Sequence, residues 1–264
     1  MEKDRNGTYL CGDPASERCV IKLAGEMEID DLEYEYRQAV QLAGGRDFCL
    51  LAVLAGDWND ELSPWTAPAI FGDEAFGGHA QRTLDRLLTE VIPDFERRYP
   101  RRSAAEDGRE RFAGTDGAAG ADGAAGTDGA DGADGADRIS LPPGEGKRQY
   151  VIGGYSLAGL FALWAATRTD LFYGVIAASP SVWFPGWLSY AQEQPVRAQR
   201  VYLSLGDREE RSRNQVLRTV GDCIRQQKSL LEGADCAVTL EWNRGNHFAD
   251  NALRCAKGIG WMLI

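Results

Sequence analysis

The chain has 264 residues and a formal charge of −11, long enough for one large α/β domain with a substantial core and acidic enough to argue against a nucleic-acid partner, whose phosphates it would repel. It contains no run of about twenty apolar residues that could span a membrane, and its polar start, Met1 to Asn6, lacks the apolar core of a signal peptide. Its six cysteines form no Cys-x-x-Cys pair, and with two histidines and no clustered ligands the chain is expected to be a reduced, cytoplasmic protein without a metal or other cofactor.

Cys19 to Leu23 predicts a strand. Asp30 to Leu42 has helical spacing, and Gly44-Gly45 stops it. Phe48 to Leu54 is an apolar run of buried-strand length, followed by Gly56-Asp57-Trp58-Asn59. Ala80 to Tyr99 predicts a long helix, bent or interrupted near Pro93, with His79 at its start as a capping or solvated residue or one on a pocket rim. Residues 103–137 then break the pattern with a Gly/Ala/Asp repeat that carries hardly any bulky apolar groups. Such a composition does not offset its ordering entropy, so it predicts a disordered insertion. It also lacks the ligand spacing and terminal Glu of a calcium loop.

Order returns with the strand Tyr150-Val151-Ile152 and a helix from Leu157 to Thr167. Strands Tyr173 to Ala178 and Arg200 to Leu205, a helix from about Asn214 to Glu232, a strand Ala237 to Trp242 and a helix Asn251 to Leu263 complete the chain. Strands alternating with helices demand a mostly parallel sheet covered on both faces. Residues 1–102 and 138–264 are therefore the two parts of one α/β domain, with 103–137 inserted between them.

In such sheets ligands bind beyond the carboxyl ends of the strands, and this chain places chemistry there. Gly153-Gly154-Tyr155-Ser156-Leu157-Ala158-Gly159 has the form of a nucleophile elbow, a serine on a tight turn between strand and helix. It departs from Gly-x-Ser-x-Gly in having Ala158 at the second glycine position; alanine, the smallest substitute, is expected to preserve the turn. The alternative is a βα turn whose serine merely caps a helix. After the next strands come Gly206-Asp207-Arg208-Glu209-Glu210 and Gly245-Asn246-His247. The order Ser, acid, His is that of an α/β-hydrolase triad. His247 is the expected base, against a loop histidine that caps the last helix. Glu209, three residues past Gly206, is the expected acid and Asp207 the alternative; Glu210 is read as part of a solvated charge cluster. Leu157, after the serine, should donate one backbone N–H to an oxyanion, and Trp58 or Asn59 the other. Trp183 and Phe184, with Tyr155, are candidate pocket residues, the aromatic loop either flooring an acyl site or simply packing.

Gly154 to Leu163 resembles the elbow of the esterase group that includes esterase D and the enterobactin and bacillibactin trilactone esterases. Ser179-Pro180-Ser181-Val182-Trp183, Leu203 to Glu209 and Gly245 to Phe248 are similar to segments at the same places in that group. Asp57 to Trp65 resembles a motif of a bacterial subgroup. The likeness spans most of the chain outside 103–137. It implies an α/β-hydrolase fold and serine-esterase chemistry on a small-molecule ester. It does not imply a substrate: a trilactone site would hold a large catecholate ligand, and no basic cluster at the strand ends clearly supplies one. An acyltransferase with the same triad, or a non-catalytic binding module on a hydrolase scaffold, are the alternatives.

Overall fold

The computed structural model describes residues 7–70, 72–101 and 148–264. The expected insertion at 103–137 lies outside the described residues.

The strands are β1 (Thr8–Gly12), β2 (Arg18–Ala24), β3 (Cys49–Leu54), the short β4 (Thr66–Ala67) and β5 (Phe76–Gly77), then β6 (Gln149–Tyr155), β7 (Phe172–Ala178), β8 (Arg200–Gly206) and β9 (Ala237–Asn243). Seven of them form one sheet in the order β1-β3-β2-β6-β7-β8-β9, and β4 pairs with β5 alone. All neighbours in the large sheet run parallel except β1, which pairs antiparallel with β3.

Period-two patterning explains why both faces of this sheet are covered. Ile21, Leu23, Ile152, Val175, Ala177, Val201 and Leu203 belong to one buried cluster, which also holds Leu157–Arg168 residues and Ile224. The intervening Val20, Val151, Ile176 and Tyr202 belong to another, shared with Leu32, Ala39, Ile259 and Met262. Helices Leu157–Arg168 and Val220–Glu232 thus lie on one face, and helices Leu32–Leu42 and Asn251–Leu263 on the other. Among the described residues no helix is long and apolar enough to cross a membrane.

The expected helix from Ala80 to Tyr99 is Ala80–Arg86 and Ile92–Arg98 joined by a π-helical turn, Leu87–Val91. Pro93 has no N–H for the helical ladder, and the wider turn just before it absorbs the lost bond. The helix expected from Asn214 divides at Thr219 into Gln215–Arg218 and Val220–Glu232, with the Asn214 side chain accepting from the N–H groups of Val216 and Leu217.

Candidate active site

Ser156 joins β6 to helix Leu157–Arg168 with φ 57° and ψ −119°. A residue with a Cβ occupies such angles only where its surroundings impose them. Here Ser156 N–H donates to Ala178 O at 3.0 Å, and Ser181 N–H and Leu160 N–H donate to Ser156 O at 3.0 and 3.2 Å. The turn needs Gly154: a Cβ there would overlap the Ala158 methyl and stand 3.1 Å from Leu23 O. The space missing at Ala158 is therefore supplied by Gly154, which accounts for the departure from the usual elbow pattern.

His247 Nε2 stands 3.0 Å from Ser156 Oγ, and its Nδ1 stands 2.7 Å from Glu209 Oε2. An ionised carboxylate only accepts, so this network puts a proton on Nδ1 and leaves Nε2 to accept from the serine hydroxyl. Glu209 is 8 % exposed. Its Oε1 accepts from Gly206 N–H at 2.7 Å, Ser179 Oγ at 2.8 Å and Arg254 Nη1 at 2.8 Å. Burial pushes this carboxyl up, but the hydrogen bond and charge of His247 and the donors Gly206 N–H and Ser179 Oγ outweigh burial and hold it below its ordinary value. Asp207 is exposed and makes a different contact, accepting from Gly245 N–H at 2.9 Å. That bond, with Arg208 N–H donating to Gly245 O at 3.1 Å, fastens the histidine loop to the end of β8.

Three solved structures share this architecture over nearly the whole chain. An IroE-like serine hydrolase from Shewanella oneidensis superposes with a TM-score of 0.64 at 13% identity, covering 97% of this chain and 75% of that one. The siderophore hydrolase EstB from Aspergillus nidulans gives 0.63 at 16% identity, covering 98% and 92%. The enterobactin esterase FES from Shigella flexneri, solved in the presence of enterobactin, gives 0.58 at 17% identity; the match covers 97% of this chain but 53% of that one. The fold is that of the α/β-hydrolases. No protein-family model and no curated protein sequence matches the chain.

On this α/β-hydrolase scaffold the other expected site residues are placed as follows. Leu157 and Trp58 are each the first residue of a helix, so neither N–H has a partner within its own helix. The loop that carries Trp58 is clamped by Glu61, whose carboxylate accepts from Gly56 N–H at 3.1 Å and Asp57 N–H at 3.2 Å. Asp57 caps Asp60 N–H at 3.0 Å, and Ser63 Oγ donates to Asn59 O at 2.6 Å. These contacts give the Asp57–Trp65 motif a physical reading: most of its polar side chains hold their own loop. His79 Nδ1 pairs with Asp60 Oδ1 at 2.6 Å and makes no side-chain cap.

Two of the three candidate pocket residues are buried side chains. Tyr155 is 3% exposed, and its hydroxyl donates to His247 O at 2.8 Å. It points beneath the histidine loop because β6 alternates its side chains, and Tyr155 falls on the face opposite the elbow helix. Phe184 is 2% exposed and packs edge-on against Phe76 and Trp65, as a core residue. Trp183 is half-buried beside both Phe76 and Phe184.

Residues that sequence reasoning missed gather around Glu209. Ser179 has φ 43° and donates to the carboxylate, and the buried Arg254 reaches it from helix Asn251–Leu263. An arginine between Leu253 and Cys255 in that helix was the available signal, since buried arginines are almost always paired.

Proposed function

We propose that this protein is a serine hydrolase that cleaves carboxylic esters through an acyl-enzyme. The observation that carries the reading is the continuous line from Ser156 Oγ through the His247 imidazole to the Glu209 carboxylate, on a serine whose backbone angles expose it at a strand end. Ser156 Oγ attacks the ester carbonyl as its proton passes to His247 Nε2. Glu209 stabilises the imidazolium and fixes the tautomer. The carbonyl oxygen takes up the electron pair, and the N–H groups of Leu157 and Trp58 receive it. Collapse of this intermediate expels the alcohol, which takes the proton from His247. Water then attacks the acyl-enzyme with His247 again as base, releasing the acid and restoring Ser156.

The fold shared with a serine hydrolase, a siderophore hydrolase and an enterobactin esterase supports ester hydrolysis as the reaction class. The substrate we assign is a small-molecule ester. A fluorophosphonate probe tests the reading without knowledge of that ester. The wild type is expected to be labelled and to cleave p-nitrophenyl acetate, while Ser156→Ala loses the label and at least about 10³-fold in turnover. A folded Ser156→Ala protein that keeps wild-type turnover overturns it.

A further inference from the structure

The Arg254 side chain is 1% exposed. Burying a guanidinium costs several kcal/mol, so its contacts have to be numerous and well aligned to offset the loss. Nη1 lies 2.8 Å from Glu209 Oε1, 2.9 Å from Tyr155 Oη and 2.9 Å from Ser179 Oγ, three acceptors that share its two protons. Nη2 donates to Asn246 O at 2.9 Å and faces Arg244 O at 3.4 Å. The hydroxyl protons are consistent with this arrangement. Tyr155 gives its own to His247 O and Ser179 gives its own to Glu209, so both oxygens have lone pairs for the arginine.

These acceptors fall into two sets. Glu209 is the acid after β8 and Ser179 bonds it, while the carbonyls of Arg244 and Asn246, with Tyr155, belong to or hold the loop that carries His247. That loop contains Gly245 at φ 111°, a conformation that glycine adopts without strain, and the bonds of Asp207 and Arg208 to Gly245 hold it on one side only. A planar fork of donors fixes two such groups relative to each other, whereas a single ammonium, a point charge with three donors, fixes them only in part.

We propose that Arg254 is a positioning residue that locks the Glu209 carboxylate and the His247 loop into one mutual geometry. The proposal rests on the hydrolase reading above. Arg254 touches neither Ser156 nor the reacting atoms, and it acts through the acid and the loop.

The test compares wild type, Arg254→Met and Arg254→Lys by circular dichroism, by p-nitrophenyl acetate kinetics across pH, and by proton NMR of the His247 Nδ1–H. In folded Arg254→Met, kcat should fall about 10²-fold, the loss associated with a misplacement of about 1 Å, while KM changes little. The acid limb of its pH profile should differ from wild type, and the downfield Nδ1–H signal should weaken or vanish. Arg254→Lys should recover part of the kcat loss, and it carries the test if the methionine variant does not fold. A folded Arg254→Met protein with wild-type kcat, pH profile and Nδ1–H signal overturns the proposal, as does a Lys variant no better than Met. The NMR signal separates the two readings. If wild type cleaves no ester and takes no fluorophosphonate, the hydrolase reading fails, and the Nδ1–H resonance still reports whether Arg254 holds the His247–Glu209 geometry.

Discussion

His247 turns its Nδ1 to Glu209, 2.7 Å away, while Asp207, two residues earlier in the chain, accepts from Gly245 N–H instead. The two carboxylates therefore have separable duties, one facing the imidazole and one fastening the loop that presents it. Glu209→Gln is expected to cost about 10⁴-fold in ester turnover, the effect of removing the imidazolium's partner in such triads. Asp207→Asn keeps an oxygen that can accept from Gly245 N–H and is expected to cost less than about tenfold. Steady-state kinetics on the two variants decide the matter. A larger loss in Asp207→Asn would assign the acid's role to the wrong residue.

The protonation of Glu209 also couples to stability. Its carboxyl lies below the ordinary value in the folded protein because His247, Gly206 N–H and Ser179 Oγ outweigh the upward push of burial. The folded state therefore binds fewer protons at this site than the unfolded chain does, so stability rises with pH between the folded and unfolded values. The contribution is fully present above the unfolded carboxyl pKa of about 4.3 and is lost as pH falls through the folded pKa. Urea unfolding of wild type and Glu209→Gln from about pH 6 down to about pH 3 should show the gap in stability between them narrowing with acid. A gap that stays constant over that range would mean that Glu209 has no depressed pKa.

Much of this arrangement was legible because it follows from local rules. Ser156, Glu209 and His247 each come a few residues after an apolar run, and an α/β chain brings the carboxyl ends of its parallel strands to one edge. Strand β1 was not legible: Thr8 to Gly12 is a short edge segment, only partly buried along most of its length, with no apolar run to announce it. The choice of Glu209 over Asp207 depends on how the segment after β8 turns, which residue type alone does not reveal. Arg254 makes contacts up to 99 positions away in the chain. Glu35 reads as one more polar residue of helix Leu32–Leu42, yet it is fully buried against Lys22 at 2.6 Å. In both cases the partner lies on another element, and periodicity carries no information about it.

The backbone at Ser156 gives a prediction that does not depend on catalysis. At φ 57° and ψ −119° its Cβ is strained, and its side chain makes no capping hydrogen bond to the helix that follows. Replacing the serine therefore removes no cap, and what remains is the conformational cost of a Cβ at positive φ, about 1–3 kcal/mol for such outliers. Glycine avoids that cost, while its freer unfolded chain takes back about 0.4–1 kcal/mol relative to alanine. The strain is the larger effect at its midpoint, so Ser156→Gly should be more stable than Ser156→Ala by about 1 kcal/mol. Both variants should lack fluorophosphonate labelling, so any difference between them is structural. Chemical denaturation of the two side by side measures it. If Ser156→Ala proves as stable as Ser156→Gly or more so, the serine does not sit on a strained turn, and the elbow that exposes its hydroxyl to an ester loses its physical basis.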